Sequence, residues 1–281
     1  MEQATERVKR VMPQATRERL AEARKAMGSV NPRERGREKM RVALDWIYRW
    51  GWASPSTIEL TTGGKRSGLT ARLVRQKFLK STRTESGGGA KGIPMFILTL
   101  TRIGLEEVER HREDLIRYEL DSYRIDQTKL RHDELAQRAT INALLAKRIQ
   151  SFKTPAELAA KSEAGVKQPD VLWIDGKGGR TGIEVELSAK WDRKLDQFVL
   201  GCLKSLKPDQ ANSVDSIALI SDSKAIVSRY GKAFKPGQDL PIWGKDSRGN
   251  WLVTKTIQVP EKMGEIEIGK EGTIQCIYLE S

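Results

Sequence analysis

Beyond residue 36 the apolar positions fall into regular patterns. Met40, Ala43, Leu44, Ile47 and Trp50 recur at helical spacing and define one face, and Gly51 ends that helix. Ser54-Pro55 opens a second helix, with Ser56 and Glu59 spaced as a capping box and Ile58 and Leu60 as its apolar contacts. Thr61-Thr62-Gly63-Gly64 breaks the chain. Ser67 then caps a third helix over residues 69 to about 79, with Leu69, Leu73, Val74 and Phe78 turned inward. After a turn rich in glycine, Gly87 to Gly92, a strand is predicted over 93–101, where Phe96, Leu98 and Leu100 alternate.

The second half alternates strand and helix signals. Residues 106–149 read as mostly helical, with 101–126 an acidic connector. Leu135, Ala139, Ala146 and Ile149 form a stripe that His132 and Asn142 share. A histidine on an apolar face is commonly a satisfied core residue. The polar groups around it, Asp133, Glu134 and Gln137, also fit a helix that looks into a site. Val171–Ile174 is a short apolar strand, Asp175-Gly176-Lys177-Gly178-Gly179 a hairpin turn, and 181–188 the returning strand. A helix with Leu195, Phe198, Val199, Cys202 and Leu206 follows, then a strand at Ser216–Ser221 and a helix with Ile226, Val227, Tyr230 and Phe234. Strand-like pieces at 251–259 and 273–279 close the chain. Strands and helices alternating around one mixed sheet give an α/β class.

Charge changes this picture. The 281 residues carry 50 Lys+Arg against 37 Asp+Glu, a formal +13. Residues 1–100 hold 21 basic and 9 acidic side chains, a net +12, whereas 101–281 hold 29 and 28, a net +1. One end is built to meet a polyanion. Residues 65–91 alone hold eight cations and one acid: Lys65, Arg66, Arg72, Arg75, Lys77, Lys80, Arg83 and Lys91 against Glu85. With Gln76 these form the candidate nucleic-acid surface, Arg72, Arg75 and Gln76 being placed to reach base edges or phosphates. Residues 1–35 are polar and weakly periodic, as in a solvated arm or a DNA-binding one.

Composition removes several classes. The N-terminus lacks the apolar core of a secretory signal, and no stretch approaches the ~18 apolar residues of a membrane span. Cys202 and Cys276 cannot make a disulfide framework or a thiolate zinc site, and His111 and His132 are too few for a histidine-rich metal centre. A cytoplasmic protein without membrane insertion is expected, and any metal should be hard and carboxylate-bound, Mg²⁺ or Mn²⁺.

The densest chemistry lies at 167–190. On a strand over 181–188, Glu184, Glu186, Ser188 and (if it persists) Lys190 share one face, and Asp170 at the start of the partner strand approaches the same spot. Two carboxylates ~7 Å apart on one strand face repel unless a cation lies between them. A divalent metal held by Asp170, Glu184 and Glu186 answers that repulsion and activates water on a phosphodiester, with Lys190 orienting the water or clamping the phosphate. The competing reading is a solvated strand whose charges only solubilise it.

Three helices and a glycine-rich hairpin carrying this charge resemble a winged helix-turn-helix, a module that also docks proteins. Pro169-Asp170, a hairpin, then an acid and a lysine resemble the PD-(D/E)xK nucleases of restriction-endonuclease fold, although Glu186 stands where the lysine usually does. Together these features resemble the MobC-type plasmid mobilisation relaxases and related replication-relaxation proteins over most of residues 36–235. The resemblance implies an arm at 1–35, a winged helix at 36–115 and a nuclease-like domain at 116–281. It implies metal-dependent nicking of one strand of plasmid or mobile-element DNA at an origin of transfer, with relaxosome or coupling proteins as further partners. By the same resemblance Asp170, Glu184 and Glu186 are metal ligands or metal-proximal acids and Lys190 assists as base or clamp, while His132, Asp133 and Gln137 line the site. Tyr118, Tyr123 and Tyr230 are isolated and read as structural. The rivals are a DNA-binding accessory protein with an inactive nuclease-like domain, and a double-strand defence endonuclease, which usually needs a dimer.

Overall fold

A computed structural model describes residues 31–63, 68–159, 168–207, 213–263, 266–268 and 273–280. The chain forms two units, residues 1–41 and 42–281. Of the first, residues 32–41 are the polar opening turns of α1, Pro32–Trp50. Residues 1–30, with most of the expected arm, lie outside the described residues.

Along the rest of α1 the buried face is Ala43, Leu44, Trp46, Ile47 and Tyr48, broader than the periodic stripe because Trp46 and Tyr48 are inside as well. Gly51, with φ +81°, ends the helix as expected. α2, Pro55–Thr61, is capped by Ser54 rather than Ser56. The Ser54 hydroxyl accepts from the Thr57 backbone N–H, and Pro55 takes the first helical position, where no N–H is needed. α3, Leu69–Arg75, is shorter than expected. Lys77 adopts φ +62° and the Phe78 N–H turns back to the Leu73 carbonyl, which closes the helix in a left-handed C-terminal turn. The next residues enter β1, Leu79–Arg83, paired antiparallel with β2, Phe96–Leu100. In β2 the buried run Ile97–Leu98–Thr99–Leu100 covers both faces, so the expected alternation does not hold and Phe96 is exposed. Ala53 adds a bridge to Leu98.

The long helix expected over 106–149 is interrupted. α4 is Arg102–Glu109, residues 110–129 are irregular apart from a 3-10 turn at Ser122–Arg124, and α5 is Leu130–Leu145. Tyrosines hold the irregular stretch. The Tyr48 hydroxyl accepts from the Ile116 N–H (2.7 Å) and donates to its carbonyl (3.0 Å). The Tyr118 hydroxyl donates to the Gly51 carbonyl (2.8 Å) and accepts from the Leu100 N–H (2.8 Å). The Ile116 backbone groups satisfied this way are withdrawn from helix formation, and Tyr118 pins the stretch to Gly51 and Leu100. Tyr118 is structural as expected, whereas Tyr123 is exposed, with the Lys80 ammonium 4.8 Å above its ring.

The remainder centres on a five-stranded mixed sheet in the order β11-β6-β5-β4-β3. Here β3 is Ser151–Lys153, β4 Val171–Ile174, β5 Arg180–Val185, β6 Ser216–Ser221 and β11 Ile274–Tyr278. β3, β4 and β5 pair antiparallel, and β5, β6 and β11 parallel. The β4–β5 turn is the expected hairpin: the Asp175 carboxylate accepts from the N–H groups of Lys177 and Gly179 (2.7 and 2.8 Å), which holds its pKa below the usual range. Short α6, Pro155–Ala159, lies between β3 and β4. α7, Asp192–Ser205, and α8, Lys224–Ala233, cover one sheet face through Phe198, Val199, Cys202, Leu203 and Tyr230, packed with Leu172 and Leu219. α5 meets the other face, where the Trp173 indole donates to the Thr140 hydroxyl (3.0 Å). Its buried side includes Glu134, Leu135, Gln137, Ala139 and Ile141, whereas Asn142 and Ala146, expected on the apolar stripe, are exposed. The strand at 251–259 does not join this sheet. It is β8, Trp251–Gln258, paired with β7, Asp239–Lys245, in a separate hairpin. The two-residue strands β9 (Lys262–Met263) and β10 (Ile266–Glu267) form a small antiparallel pair. Among the described residues no helix is long and apolar enough to cross a membrane.

Candidate active site and nucleic-acid surface

The sheet sets Asp170, just before β4, against the stretch of β5 that carries Glu184. Val171 lies opposite Ile183, and the Asp170 N–H also donates to the Ile183 carbonyl (2.9 Å), so the ladder slips by one residue and Asp170 and Val171 both lie against Ile183, the neighbour of Glu184. Glu184 lies beside Leu219 of β6, on the α7/α8 face. Glu186 keeps the same parity. Its N–H still bonds the Ile220 carbonyl (2.9 Å), although the strand ends one residue earlier. Ser188 and Lys190 therefore do not continue the strand as expected. The chain bends after Glu186, Ser188 is exposed, and Lys190 folds back so that its ammonium pairs with the Glu186 carboxylate. The opposite carboxylate oxygen of Glu186 accepts from the Tyr230 hydroxyl (3.2 Å). Burial first, and then the Glu186 charge, push the Tyr230 phenol well above its ordinary pKa, which keeps it a donor.

α5 supplies the cation on the other side. His132 Nε2 meets Asp170 Oδ2 (3.1 Å) and Nδ1 meets Asp133 Oδ1 (3.0 Å), while the Val185 N–H also donates to Asp170 Oδ2 (2.8 Å). Burial alone would lower the His132 pKa. The hydrogen bonds and charges of Asp133 and Asp170 outweigh it and raise the value to about 10. The imidazole is thus a cation at neutral pH, and both ring nitrogens donate. Next to it, Arg131 forms an ion pair (2.6 Å) with Asp222, whose side chain is buried just after β6.

Gln137 is a correction. It does not line the site: its amide is fully buried, accepts from the Trp46 indole N–H (2.8 Å) and donates to the Trp52 carbonyl (3.1 Å). Glu134 does similar work, accepting from the Ser54 and Thr57 hydroxyls (2.9 and 2.8 Å), and its burial raises its pKa. Gln137→Ala should cost about 1–3 kcal/mol, because it leaves a buried indole N–H and a carbonyl unpaired. Urea unfolding measures that loss, and a variant as stable as the wild type would refute the cross-link.

Tyr230 was hidden in the sequence because it shares the helical stripe of Ile226 and Phe234. Asp222 and Arg131 carried no spacing signal. Among the described residues no group of three or more His, Cys, Asp and Glu side chains converges closely enough to hold a metal ion. The carboxylates of Asp170, Glu184 and Glu186 are nonetheless hard oxygen donors of the kind that suits Mg²⁺ or Mn²⁺, which need only one or two protein carboxylates beside waters.

On the basic side, Lys65 and Arg66 lie outside the described residues. Arg72, Arg75 and Gln76 are exposed on and just after α3. Lys77 is exposed at the left-handed turn, Lys80 and Arg83 on β1, and Lys91 in the glycine-rich loop. None of these is drawn into an ion pair with the described residues, which leaves their charge facing solvent.

Comparison with protein-family models, curated proteins and solved structures finds no match to this chain.

Proposed function

We propose that the protein is a metal-dependent DNA-nicking endonuclease of the relaxase type, acting at an origin of transfer in plasmid or mobile-element DNA. The observation that carries the reading is the group of acids where β4 begins and β5 ends, with Asp170 bound by His132 and the Val185 N–H, and Glu186 bound by Lys190 and Tyr230. Order and pairing in residues 42–100 (helix, bridging residue, two helices, hairpin) fit a winged helix, and the mixed sheet with helices on both faces fits a restriction-endonuclease-like core. Asp170 and Glu184 would hold Mg²⁺ or Mn²⁺, with Glu186 as a nearby acid. Such an ion, when bound, neutralises phosphate charge and acidifies water. The chain's own groups do the rest. His132 orients Asp170 and adds positive charge, and Lys190, with its side chain one-third exposed, offers an ammonium to the phosphate.

Supercoiled plasmid incubated with the protein and Mg²⁺ or Mn²⁺ tests this. Open circles are expected, and linear product would instead indicate the double-strand cutter. A second reading, a DNA-binding accessory protein, draws on the fact that Asp170 and Glu186 already have protein cations as partners. It predicts unchanged plasmid.

Both readings place duplex DNA on the basic surface. Replacing Arg72, Arg75 and Lys77 together by Ala should weaken binding to all sequences alike. It should also flatten the log–log salt dependence by about 0.9 for each phosphate that the variant no longer neutralises. Anisotropy titrations at several salt concentrations measure this, and unchanged affinity at low salt would remove the surface.

A further inference from the structure

We infer that Trp191 is a stacking platform for an unpaired base of a single DNA strand, with Trp251 as a second step. The inference rests on the nucleic-acid reading of the adjacent site.

Trp191 follows Lys190 directly and precedes α7, and its side chain is 61% exposed. One face of the indole is covered, with the Arg229 guanidinium 3.5 Å from the ring centroid. Arg229 is itself fixed, since its Nε donates to the Lys190 carbonyl (2.9 Å). Trp191 is the extended N-cap residue of α7, and the next residue, Asp192, has φ +44°, a left-handed conformation that a non-glycine residue adopts at a cost. The same helix start supplies Arg193, whose guanidinium lies 4.4 Å over the ring of Trp251. Lys245 approaches that ring at 5.1 Å, and Trp251 is 42% exposed. Neither arginine nor Lys245 forms an ion pair with the described residues.

Each of these exposed rings carries a cation on its surface, so apolar stacking area and positive charge sit side by side. A nucleic-acid strand has the complementary chemistry, flat apolar bases and phosphates in alternation. In an intact duplex the base faces are already stacked on one another, so such a platform selects an unpaired strand. Its place one residue from the Lys190–Glu186 pair matches a strand opened at the cleavage point. A protein docking on the exposed Trp251, Leu252 and Val253 of β8 is the alternative occupant, and it would not depend on Trp191 for oligonucleotide binding.

The full chain is titrated into a short fluorescein-labelled oligothymidylate in EDTA, which suspends cleavage, and in parallel into a blunt duplex. Trp191→Ala should weaken oligothymidylate binding about tenfold, with Trp191→Phe retaining most of it and duplex affinity unchanged in both. Wild-type tryptophan fluorescence should be quenched on binding, and less so in Trp191→Ala. Unchanged oligothymidylate affinity in Trp191→Ala, an equal loss for duplex, or tighter binding of oligouridylate than of oligothymidylate would overturn the inference. Plasmid nicking by the wild type separates the two claims. Nicking with a Trp191-independent oligothymidylate affinity removes only the platform, and a Trp191-dependent affinity without nicking removes only the nuclease.

Discussion

Asp170→Asn and Glu184→Gln should each reduce metal-dependent nicking by about a thousandfold or more, while duplex affinity stays within about twofold of wild type. Both substitutions preserve shape and remove a charge, one just before β4 and one within β5, far in sequence from the cations of α3 and β1. Their stabilities should differ. Asp170 accepts from protonated His132 and from the Val185 N–H, so the Asn variant loses charge-assisted bonds and should melt lower by about 1–3 kcal/mol of unfolding free energy. Repulsion among three bare carboxylates would give the opposite, a gain on removing one. The paired cations His132 and Lys190 are the physical reason it does not apply. Mg²⁺ or Mn²⁺ should raise the melting temperature of the wild type by mass action, less so at low pH where protons compete, and the shift should vanish in Glu184→Gln. Full cleavage by Asp170→Asn would remove the nuclease reading and leave the accessory protein.

Much of the fold was legible because periodicity and turn chemistry are local. Val171–Ile174, the Asp175 turn and Ser216–Ser221 are found where the residues pointed, since apolar runs bounded by Gly and Asp have few other solutions. Tertiary packing decided the misreadings. The helical pattern over 110–129 gives way to the bonds of the Ile116 backbone with Tyr48 and to the anchoring of the Tyr118 hydroxyl on Gly51 and Leu100, which sequence spacing cannot show. The third helix ends before its apolar spacing predicts because Lys77 takes a left-handed conformation usually left to glycine. β8 has strand chemistry, but its partner is β7, and pairing is not written in a single strand.

The site was legible in a different degree. Alternation placed Glu184 and Glu186 on one face, and Pro169-Asp170 marked the partner strand. The side of the helix toward which a polar residue turns depends on what packs there. His132 and Gln137, five residues apart on α5, therefore separated: one reached Asp170 and the other Trp46 and Trp52. Tyr230 shows the converse, a residue indistinguishable from core by spacing whose hydroxyl ends on a site carboxylate.

His132 offers the sharpest remaining test, because its charge ties the site to stability. In the folded chain its pKa is raised to about 10, burial opposing and the Asp133 and Asp170 interactions prevailing. An unfolded histidine titrates near ~6.5. The proton is thus held more tightly by the folded state. The resulting stabilisation is complete below about pH 6.5 and fades as pH rises through about 10. His132→Gln keeps a polar side chain without the charge, so it should be less stable than wild type by about 1–3 kcal/mol at pH 6, with the gap closing toward pH 10. Other groups titrate at high pH, among them the Cys276 thiol, pushed up to about 11 by burial. They act equally in both proteins, so the difference between the two unfolding curves at each pH isolates His132. Nicking by the variant should fall about a hundredfold at neutral pH, as expected for removing a positive charge beside a reacting phosphate. A stability gap independent of pH between 6 and 10 would show that the imidazole is not held as a cation. Wild-type nicking in His132→Gln would show that its charge serves the fold alone.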